Sequence, residues 1–200
     1  MKSTSDRISP EAQLSPTATI WDHALIREHA ILGERVIVGS GAYIGVGVCV
    51  GDDSKIQNGA QVYEPAEIGP GVFIGPGAIL TNDRFPRAVA PSMRQKAADD
   101  WESVGVTILH GASIGAGAIC VAPITIGCWA MVAAGSVVIA DVPDHALVVG
   151  NPARRIGWVG RAGVRLEVDL SAPDSLRCPG TGGAYVERNS RLVRVEGLGS

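Results

Sequence analysis

Residues 20–80 read IWDHALIREHAILGERVIVGSGAYIGVGVCVGDDSKIQNGAQVYEPAEIGPGVFIGPGAIL. An aliphatic side chain recurs at every sixth position of this stretch without a gap. These positions are Ile20, Ile26, Leu32, Val38, Ile44, Val50, Ile56, Val62, Ile68, Ile74 and Leu80. A period of six fits neither an amphipathic helix nor an ordinary strand, and it indicates the short repeats of a β-helix.

A second series of small or slim residues lies four positions after the first. Its members are Ala24, Ala30, Val36, Ala42, Val48, Ser54, Ala60, Ala66, Val72 and Ala78. We expect each hexapeptide to form a short strand and a tight corner, and three of them to make one triangular coil of about 18 residues. The aliphatic residue points inward, and the small residue lies near the corner, where space is limited. Because each coil covers the coil before it, stability should come from stacked neighbours.

The period is interrupted once and then resumes. The inward positions of the second run are Ile108, Ile114, Cys120, Ile126, Val132 and Val138. Between the runs, residues 81–107 read TNDRFPRAVAPSMRQKAADDWESVGVT and are polar and charged. A loop of this length in a repeat protein is usually functional or disordered. We expect a functional loop, with a short helix from Arg94 to Trp101, because the aromatic and charged residues that the repeats lack are concentrated here.

Three segments flank or close the predicted prism. Residues 1–17 are polar, have no apolar core of a signal peptide, and are expected to form a loose arm. Residues 143–157 should leave the prism and cap its open end, where Asn-Pro after glycine is a turn signal and Pro152 can open a short helix. Residues 158–200 lack the period, and VRLEVDL, GGAYVER and RLVRVEG predict short strands. The predicted division is thus an arm, a prism over 18–157 and a small β-hairpin tail.

Composition narrows the possible partners. A chain of 200 residues suits one domain with a small appendage. The net charge of −3 gives no support for a nucleic-acid partner. No apolar run is long enough to cross a bilayer, so we expect no membrane partner. The four cysteines lack the spacing of a disulfide framework, Cys120 is expected in the core, and a cytoplasmic location is the default expectation.

Three segments resemble a known family. They are QNGAQVYEPAEIGPGVFIGPGAILTNDRFPRA at 57–88, TILHGASIGAGAI from 107, and MVAAGSVVIADVPDHALVVGNPAR at 131–154. The repeats over 18–156 resemble the left-handed parallel β-helix of the hexapeptide-repeat acyltransferases, and the left hand follows from that resemblance alone. VYE followed by TNDRFPR is similar to the sugar-nucleotide N-acetyltransferases. The resemblance implies a homotrimeric, acetyl-CoA-dependent enzyme that acetylates the 3-amino group of a UDP- or dTDP-linked amino sugar.

The tail is similar to the zinc-ribbon-like tails of some relatives, in which paired cysteine knuckles supply four thiolates. Here Gly160 and Ala162 stand at the first knuckle, and Thr181 stands beside Cys178 at the second. One thiolate cannot make a structural zinc site, so we expect no metal.

The ladder of repeats predicts where acetyl-CoA would bind. Ala116 and Gly117 should lie under Ala134 and Gly135, with Pro152 next above, on a corner that carries no bulky side chain. Such a corner suits the extended pantetheine arm, and the arginines that follow would meet the adenosine phosphates. The predicted cofactor-binding residues are Ala116, Gly117, Ala134, Gly135, Asn151, Pro152, Arg154 and Arg155.

The resemblance also implies an acceptor site at the exit of the loop. Asn82 matches the asparagine that positions the acceptor amine, and Asp83 would accept a proton or orient Asn82. Glu64 should stack directly under Asn82. We expect the loop arginines to bind the diphosphate and a phenylalanine to stack on the base. The predicted substrate-binding residues are Tyr63, Glu64, Arg84, Phe85 and Arg87.

Four alternatives stay open at this stage. His110, at the return of the loop, is a candidate general base, which would favour O-acetylation of a hydroxyl acceptor. The Asn82–Asp83 pair also reads as a simple turn signal. A γ-carbonic-anhydrase-like zinc enzyme needs paired histidines on one corner, whereas His23 and His29 are six residues apart. A β-helix without catalytic activity is the non-enzymatic alternative.

Overall fold

The computed structural model describes residues 7–189 and 191–195. It confirms an all-β fold: within those residues the only helical element is a 3₁₀ turn at Ala98–Asp100. The strands, in chain order, are β1 Gln13–Leu14, β2 Thr19–Ile20, β3 Leu25–Ile26, β4 Ile31–Leu32, β5 Ile37–Val38, β6 Tyr43–Ile44, β7 Cys49–Val50, β8 Lys55–Ile56, β9 Gln61–Val62, β10 Glu67–Ile68, β11 Phe73–Ile74, β12 Ile79–Leu80, β13 Val106–Ile108, β14 Ser113–Ile114, β15 Ile119–Cys120, β16 Ile124–Ile126, β17 Met131–Val132, β18 Val137–Val138, β19 Ala146–Gly150, β20 Ala153–Trp158, β21 Glu167–Val168, β22 Leu176–Arg177, β23 Ala184–Arg188 and β24 Arg191–Arg194.

Three parallel sheets form the faces of a β-helix. Sheet 1 has the order β1-β4-β7-β10-β13-β16, and sheet 2 runs β2-β5-β8-β11-β14-β17-β19-β20. Sheet 3 has the order β3-β6-β9-β12-β15-β18. Ile26 pairs with Ile44 and Ile44 with Val62, which is the predicted step of 18 residues. The chain therefore visits the three sheets in turn, once in every coil.

The interior is built from the two predicted series. Aliphatic side chains such as Ile44, Ile56 and Ile74 are completely buried, as is Cys120. Burial raises the pKa of the Cys120 thiol to about 12, so this cysteine is an uncharged core residue. Ser54 is a buried polar member of the second series. Its hydroxyl donates to the Gly69 carbonyl at 2.9 Å and accepts the Val72 amide at 3.0 Å.

The prism begins earlier than residue 18, so the predicted loose arm is wrong for the residues that the structure describes. Leu14 pairs with Leu32 in sheet 1, and Ile8 forms a parallel bridge with Ile26. Both bridges extend the ladder downward by covering the open edge of the first coil. Residues 1–6 of the predicted arm lie outside the described residues.

The last coil is shorter than the others by two residues. Met131 pairs with Leu147, sixteen positions on, and Ile126 forms a bridge with Val142, also sixteen positions on. Strand β19 therefore stays in sheet 2 and turns at Gly150–Ala153 into β20, with which it pairs antiparallel. The predicted short helix at Pro152 is wrong, because Pro152 lies in the turn of this hairpin.

The tail is a four-stranded antiparallel sheet, β21-β22-β23-β24, rather than a single hairpin. The Trp158 indole donates to Glu187 at 2.8 Å, and the His145 ring meets Tyr185 edge-on at 5.6 Å. These contacts hold the tail against the cap of the prism. In the described part of the chain, no helix has the length and apolar character needed to cross a membrane.

The corners stack into three edges that position the candidate site. The loop edge joins sheet 3 to sheet 1 and contains corners 27–30, 45–48 and 63–66, then the excursion 81–105. The histidine edge joins sheet 1 to sheet 2 and includes corners 109–112 and 127–130. The glycine edge joins sheet 2 to sheet 3 and includes corners 39–42, 115–118 and 133–136.

Candidate functional site

The long loop leaves the prism at Thr81 and returns to it at Val106. The Thr81 amide donates to the Cys120 carbonyl at 3.0 Å, and its hydroxyl accepts the Ala122 amide at 3.0 Å. The Val104 amide donates to the Asn82 carbonyl at 3.0 Å, which ties the departing strand to the returning one. The backbone of Asn82 is thus fixed from two sides, although its side chain is half-buried and faces outside the core.

Glu64 lies one coil below Asn82, as predicted, because Val62 and Leu80 are paired in sheet 3. The Ser103 hydroxyl donates to the Glu64 carbonyl at 3.0 Å, so the returning end of the loop is also anchored on this corner. The Glu64 carboxylate bends toward Gly45 in the coil below. Its Oε2 is buried and has no hydrogen-bond partner among the described residues. A carboxylate and an amide therefore share one edge of the prism.

Asp83 contributes to the shape of the loop. It forms an antiparallel bridge with Ser103, and its carboxylate accepts the Phe85 amide at 2.8 Å. This second bond is the turn geometry that the alternative interpretation of the Asn-Asp pair predicts. The Asp83 carboxylate orients the loop backbone in this structure.

The three loop residues predicted to bind the nucleotide are exposed. The Arg84 guanidinium lies 5.4 Å from the centre of the Phe85 ring, and Arg87 donates to the carbonyl of the preceding residue at 3.2 Å. A cavity of about 360 Å³ within the loop is lined by Asp83, Arg87, Lys96 and Trp101, among others. Of the predicted nucleotide-binding residues, Arg87 lines this open pocket, together with Lys96.

An ion pair rather than a helix stiffens the second half of the loop. The predicted helix from Arg94 to Trp101 is wrong except for the 3₁₀ turn at Ala98–Asp100. Arg94 donates to both Asp100 oxygens at 2.7 and 2.8 Å, and the Ala97 amide donates to the same carboxylate at 2.7 Å. The Arg94 guanidinium, with the Ala97 amide, holds the pKa of Asp100 below its usual range.

The glycine edge is bare near the top of the prism. Gly117 and Gly135 have φ of +64° and +68°, and a Cβ placed on either would meet no described atom within 4 Å. The Gly135 amide donates to the Ala116 carbonyl at 2.9 Å, which confirms the predicted stacking of these corners. Pro152 does not lie next above Gly135. The end of β19 instead lies over this corner: the Ala133 amide donates to the Val148 carbonyl at 2.9 Å, and the Gly150 amide donates to the Ser136 hydroxyl at 3.2 Å.

The two arginines beyond this edge are in different environments. The Arg155 guanidinium lies 4.1 Å from the centre of the Trp158 ring and donates to Glu187 at 3.3 Å. Arg154 makes a bond only to the neighbouring Ala153 carbonyl among the described hydrogen bonds, and it is exposed. Arg155 is thus engaged in docking the tail, whereas the described side-chain hydrogen bond of Arg154 goes only to its neighbour.

His110 lies on a different edge from Asn82. The Trp129 amide donates to the His110 carbonyl at 3.0 Å, and the indole covers Gly111 and meets the His110 ring edge-on at 5.9 Å. Within residues 7–189 and 191–195, no side chain is hydrogen-bonded to the His110 ring. His145 contrasts with it, because its Nδ1 bonds the Val159 carbonyl at 2.9 Å and burial lowers its pKa. A general base normally needs such an orienting partner.

The other histidines and the tail bear on the zinc alternatives. His23 lies on the glycine edge and His29 on the loop edge, so they do not share a corner. Cys178 is buried in the tail, close to Gly160 and the Tyr185 hydroxyl. In the part of the chain that the structure describes, no three metal-ligating side chains form a cluster.

Sequence reasoning missed Arg27, on the loop edge, and Tyr43, in the sheet 3 strand that leads into this edge. The Tyr43 ring lies 5.1 Å from the Tyr63 ring, and Arg27 approaches the Tyr43 hydroxyl at 3.5 Å. The signal in the sequence is the spacing: Tyr43 pairs with Gln61 in the coil above, two residues before Tyr63.

Comparisons with known proteins agree with this architecture. The profile of bacterial transferase hexapeptide repeats (six repeats) matches residues 50–82. A dTDP-3-amino-3,6-dideoxy-alpha-D-galactopyranose 3-N-acetyltransferase of Aneurinibacillus thermoaerophilus is 59% identical over 59 residues, 29% of this chain and 31% of that protein. Serine acetyltransferase 4 of Arabidopsis thaliana is 55% identical over 49 residues, 24% of this chain and 14% of that protein. The chain thus spans less than a third of these relatives' length.

Solved structures agree on the fold. A hexapeptide transferase family protein from Anaplasma phagocytophilum superposes with a TM-score of 0.61 at 22% identity, covering 76% of this chain and 81% of that one. At 22% identity this likeness shows the β-helix fold, and the profile adds the hexapeptide repeats at residues 50–82.

Proposed function

We propose that this chain, whose repeats are those of the hexapeptide-repeat acyltransferase family, is an acetyl-CoA-dependent N-acetyltransferase. Its acceptor is an amino group, at C3, of a UDP- or dTDP-linked amino sugar. The observation that carries the proposal is the position of Asn82, held at the loop exit one coil above the Glu64 carboxylate. The relative from Aneurinibacillus, which is named for acetylation of a 3-amino sugar, supports the choice of acceptor.

The reaction needs little covalent chemistry from the protein. The sugar amine attacks the thioester carbonyl, the C–N bond forms, and the C–S bond breaks with loss of CoA thiolate. The proton lost by the amine passes to that thiolate. The role of Asn82 is to hold the neutral amine in line with the carbonyl carbon, and backbone amides of the glycine edge are suited to binding the arm of acetyl-CoA.

The bare glycine edge supports acetyl-CoA as the donor. The pantetheine arm is extended and carries two amides, so it needs close approach to backbone groups rather than a deep pocket. Positions 117 and 135 leave that space open, and Arg154 supplies a reachable cation for phosphate groups.

The acceptor and donor edges of one prism are separated by the whole of sheet 3. The proposal therefore includes a homotrimer in which each active site lies in the cleft between two prisms. An active monomer in sedimentation velocity would contradict this arrangement.

O-acetylation is the second candidate, supported by similarity to a serine acetyltransferase. It requires a base for a hydroxyl acceptor, and His110 is the candidate. The isolation of the His110 ring described above favours the amine acceptor.

The direct test is a screen of UDP- and dTDP-linked amino sugars with acetyl-CoA, with product detected by mass spectrometry. Acetylation of a 3-amino nucleotide sugar, and not of its 3-hydroxy analogue, is the expected result. Acetylation of the hydroxy analogue alone would overturn the choice of acceptor. Turnover of neither, in protein that binds acetyl-CoA, would overturn the nucleotide-sugar assignment.

A further inference from the structure

Tyr43 and Tyr63 form an aromatic pair on the loop edge, below the loop exit. Their ring centres are 5.1 Å apart, the rings are inclined at 45°, and both side chains are half-buried. Burial, and then the charge of Glu64, raises the pKa of Tyr43, which keeps its hydroxyl protonated. The result is a partly open aromatic surface beside the acceptor corner.

An arginine and a glutamate lie at the lower end of this surface. Arg27 Nη1 donates to the Tyr43 hydroxyl at 3.5 Å, and its Nε donates to Glu28 Oε2 at 2.9 Å. Both side chains are about 40% exposed, so each keeps polar atoms available to a ligand. A hydrogen bond from its own backbone amide holds the pKa of Glu28 below its usual range. Glu28 is therefore an ionised acceptor next to a cationic donor.

The Glu64 carboxylate lies at the upper end of this surface and has one buried oxygen without a hydrogen-bond partner among the described residues. Asp52 occupies the same position in its own corner as Glu64 does. The Asp52 side chain folds back, and its Oδ1 accepts a hydrogen bond from the Glu34 amide at 2.7 Å. Glu64 is one methylene longer, reaches over Gly45, and leaves Oε2 buried without a partner among the described residues. Buried polar atoms are rarely left unpaired, so Oε2 is expected to accept from an ordered water or from a ligand group. A sugar amine or hydroxyl is such a group.

We propose that the nucleotide part of the acceptor lies along this column, with a pyrimidine base stacked on the Tyr43–Tyr63 surface. The inference rests on the proposed function, because it deepens the same site. From the level of Thr81 down to Arg27 is three coils, or about 14 Å at the usual strand spacing. That span suits an extended nucleoside diphosphate sugar whose sugar lies at Asn82. The base then binds on the prism and not on Phe85 of the loop.

The Arg27–Glu28 pair selects the kind of pyrimidine. Uracil and thymine both present a carbonyl oxygen beside the N3–H group, so guanidinium and carboxylate match them as donor and acceptor. Cytosine presents an unprotonated N3 at that place, which the Glu28 carboxylate would repel. A matched two-bond contact of this kind discriminates between bases by roughly 5- to 150-fold.

Calorimetric titration of UDP, dTDP and CDP into the full chain tests the proposal. Tyr43→Ala should weaken UDP and dTDP binding by about five- to a hundredfold, the range for loss of one base–aromatic stack. Tyr43→Phe should retain it. Phe73→Ala is the matched control, because Phe73 is an outward aromatic on sheet 2. Unchanged affinity in a folded Tyr43→Ala variant, or loss of affinity in Phe85→Ala instead, would overturn the inference.

Glu28→Gln is the second variant, and its readout does not depend on stacking. An amide can donate to cytosine N3, so the ratio of UDP to CDP affinity should fall by at least fivefold. An unchanged ratio would count against base reading by this pair. The outcomes also separate the two proposals. Nucleotide binding that depends on Tyr43, without any acetyl transfer, would refute only the enzyme assignment, whereas acetylation of nucleotide sugars that is indifferent to Tyr43 would refute only this inference.

Discussion

Gly135→Asn should block acetyl-CoA while leaving the fold intact. Gly135 has φ of +68° and open space around its missing side chain. Asparagine is among the residues that best tolerate positive φ, so the folding cost is about 1 kcal/mol or less. For a domain of this size that lowers Tm by only about 2–4 °C. The new side chain, however, occupies the corner along which the pantetheine arm is proposed to run.

The expected effect follows from the bonds that the arm would lose. Displacement of the arm from the edge removes about two amide hydrogen bonds of about 1 kcal/mol each. The KM for acetyl-CoA should therefore rise roughly thirtyfold, with a smaller change in the KM for the acceptor. Both KM values can be measured from the release of the CoA thiol, which a colorimetric thiol reagent detects. A blank without acceptor corrects for the protein's own cysteines.

Gly41→Asn is the matched control. Gly41 lies on the same glycine edge near the bottom of the prism, with the same φ of +68°, and a Cβ added there would also meet no described atom within 4 Å. Its substitution should cost the same stability and leave the KM for acetyl-CoA within about twofold of the wild-type value. Equal effects of the two variants on KM, or a wild-type KM in Gly135→Asn, would refute the placement of the donor.

The remaining changes probe the acceptor corner and the core. Asn82→Ala should lower kcat/KM by roughly ten- to a thousandfold, the range for losing one positioning or charge-stabilising hydrogen bond, while His110→Ala should cost less than tenfold. The reverse pattern in steady-state assays would reject both the amine acceptor and the choice of site. Ser54→Ala should lower the free energy of unfolding by about 1–3 kcal/mol in urea titrations, because it leaves the buried Val72 amide unpaired. Ser113→Ala, on the outward side of sheet 2, is its control, and an equal loss in both would show that the buried hydroxyl is dispensable.

The period of six predicted the interior almost residue by residue. Once three strands make a coil, a side chain and the one 18 positions later must share a face, so the inward assignments of Ile44 and Val62 follow directly. The same rule placed Glu64 under Asn82. It also extends below residue 18, where Leu14 keeps the step to Leu32, and the polar character of the first residues obscured that signal.

The rest of the fold depends on features that a fixed period cannot represent. Continuing the step of 18 beyond Ile126 would put Asp144 inside the prism, where an ionised carboxylate is costly. The chain instead drops two residues and turns Val142 inward, which moves Pro152 away from Gly135. The period of six also does not predict the direction that an outward side chain takes. The approach of the Tyr43 and Tyr63 rings to 5.1 Å is seen only in the packing of the structure.

The placement of the candidate residues on separate edges leads to a test of the assembly. Asn82 lies on the loop edge and Gly135 on the glycine edge, with sheet 3 between them. If each active site joins the loop edge of one prism to the glycine edge of its neighbour, two inactive variants can complement each other. Trimers assembled at random from equal amounts of Asn82→Ala and Gly135→Asn chains would then hold one intact site in about four, and so recover about a quarter of the wild-type rate at low acetyl-CoA. Sites built within one chain would give no recovery, since every chain carries one defect. The two variants are refolded together in one sample and mixed as already folded proteins in a second. Activity that appears only in the first sample comes from complementation and not from residual activity. Failure to recover activity in verified mixed trimers would exclude the shared site.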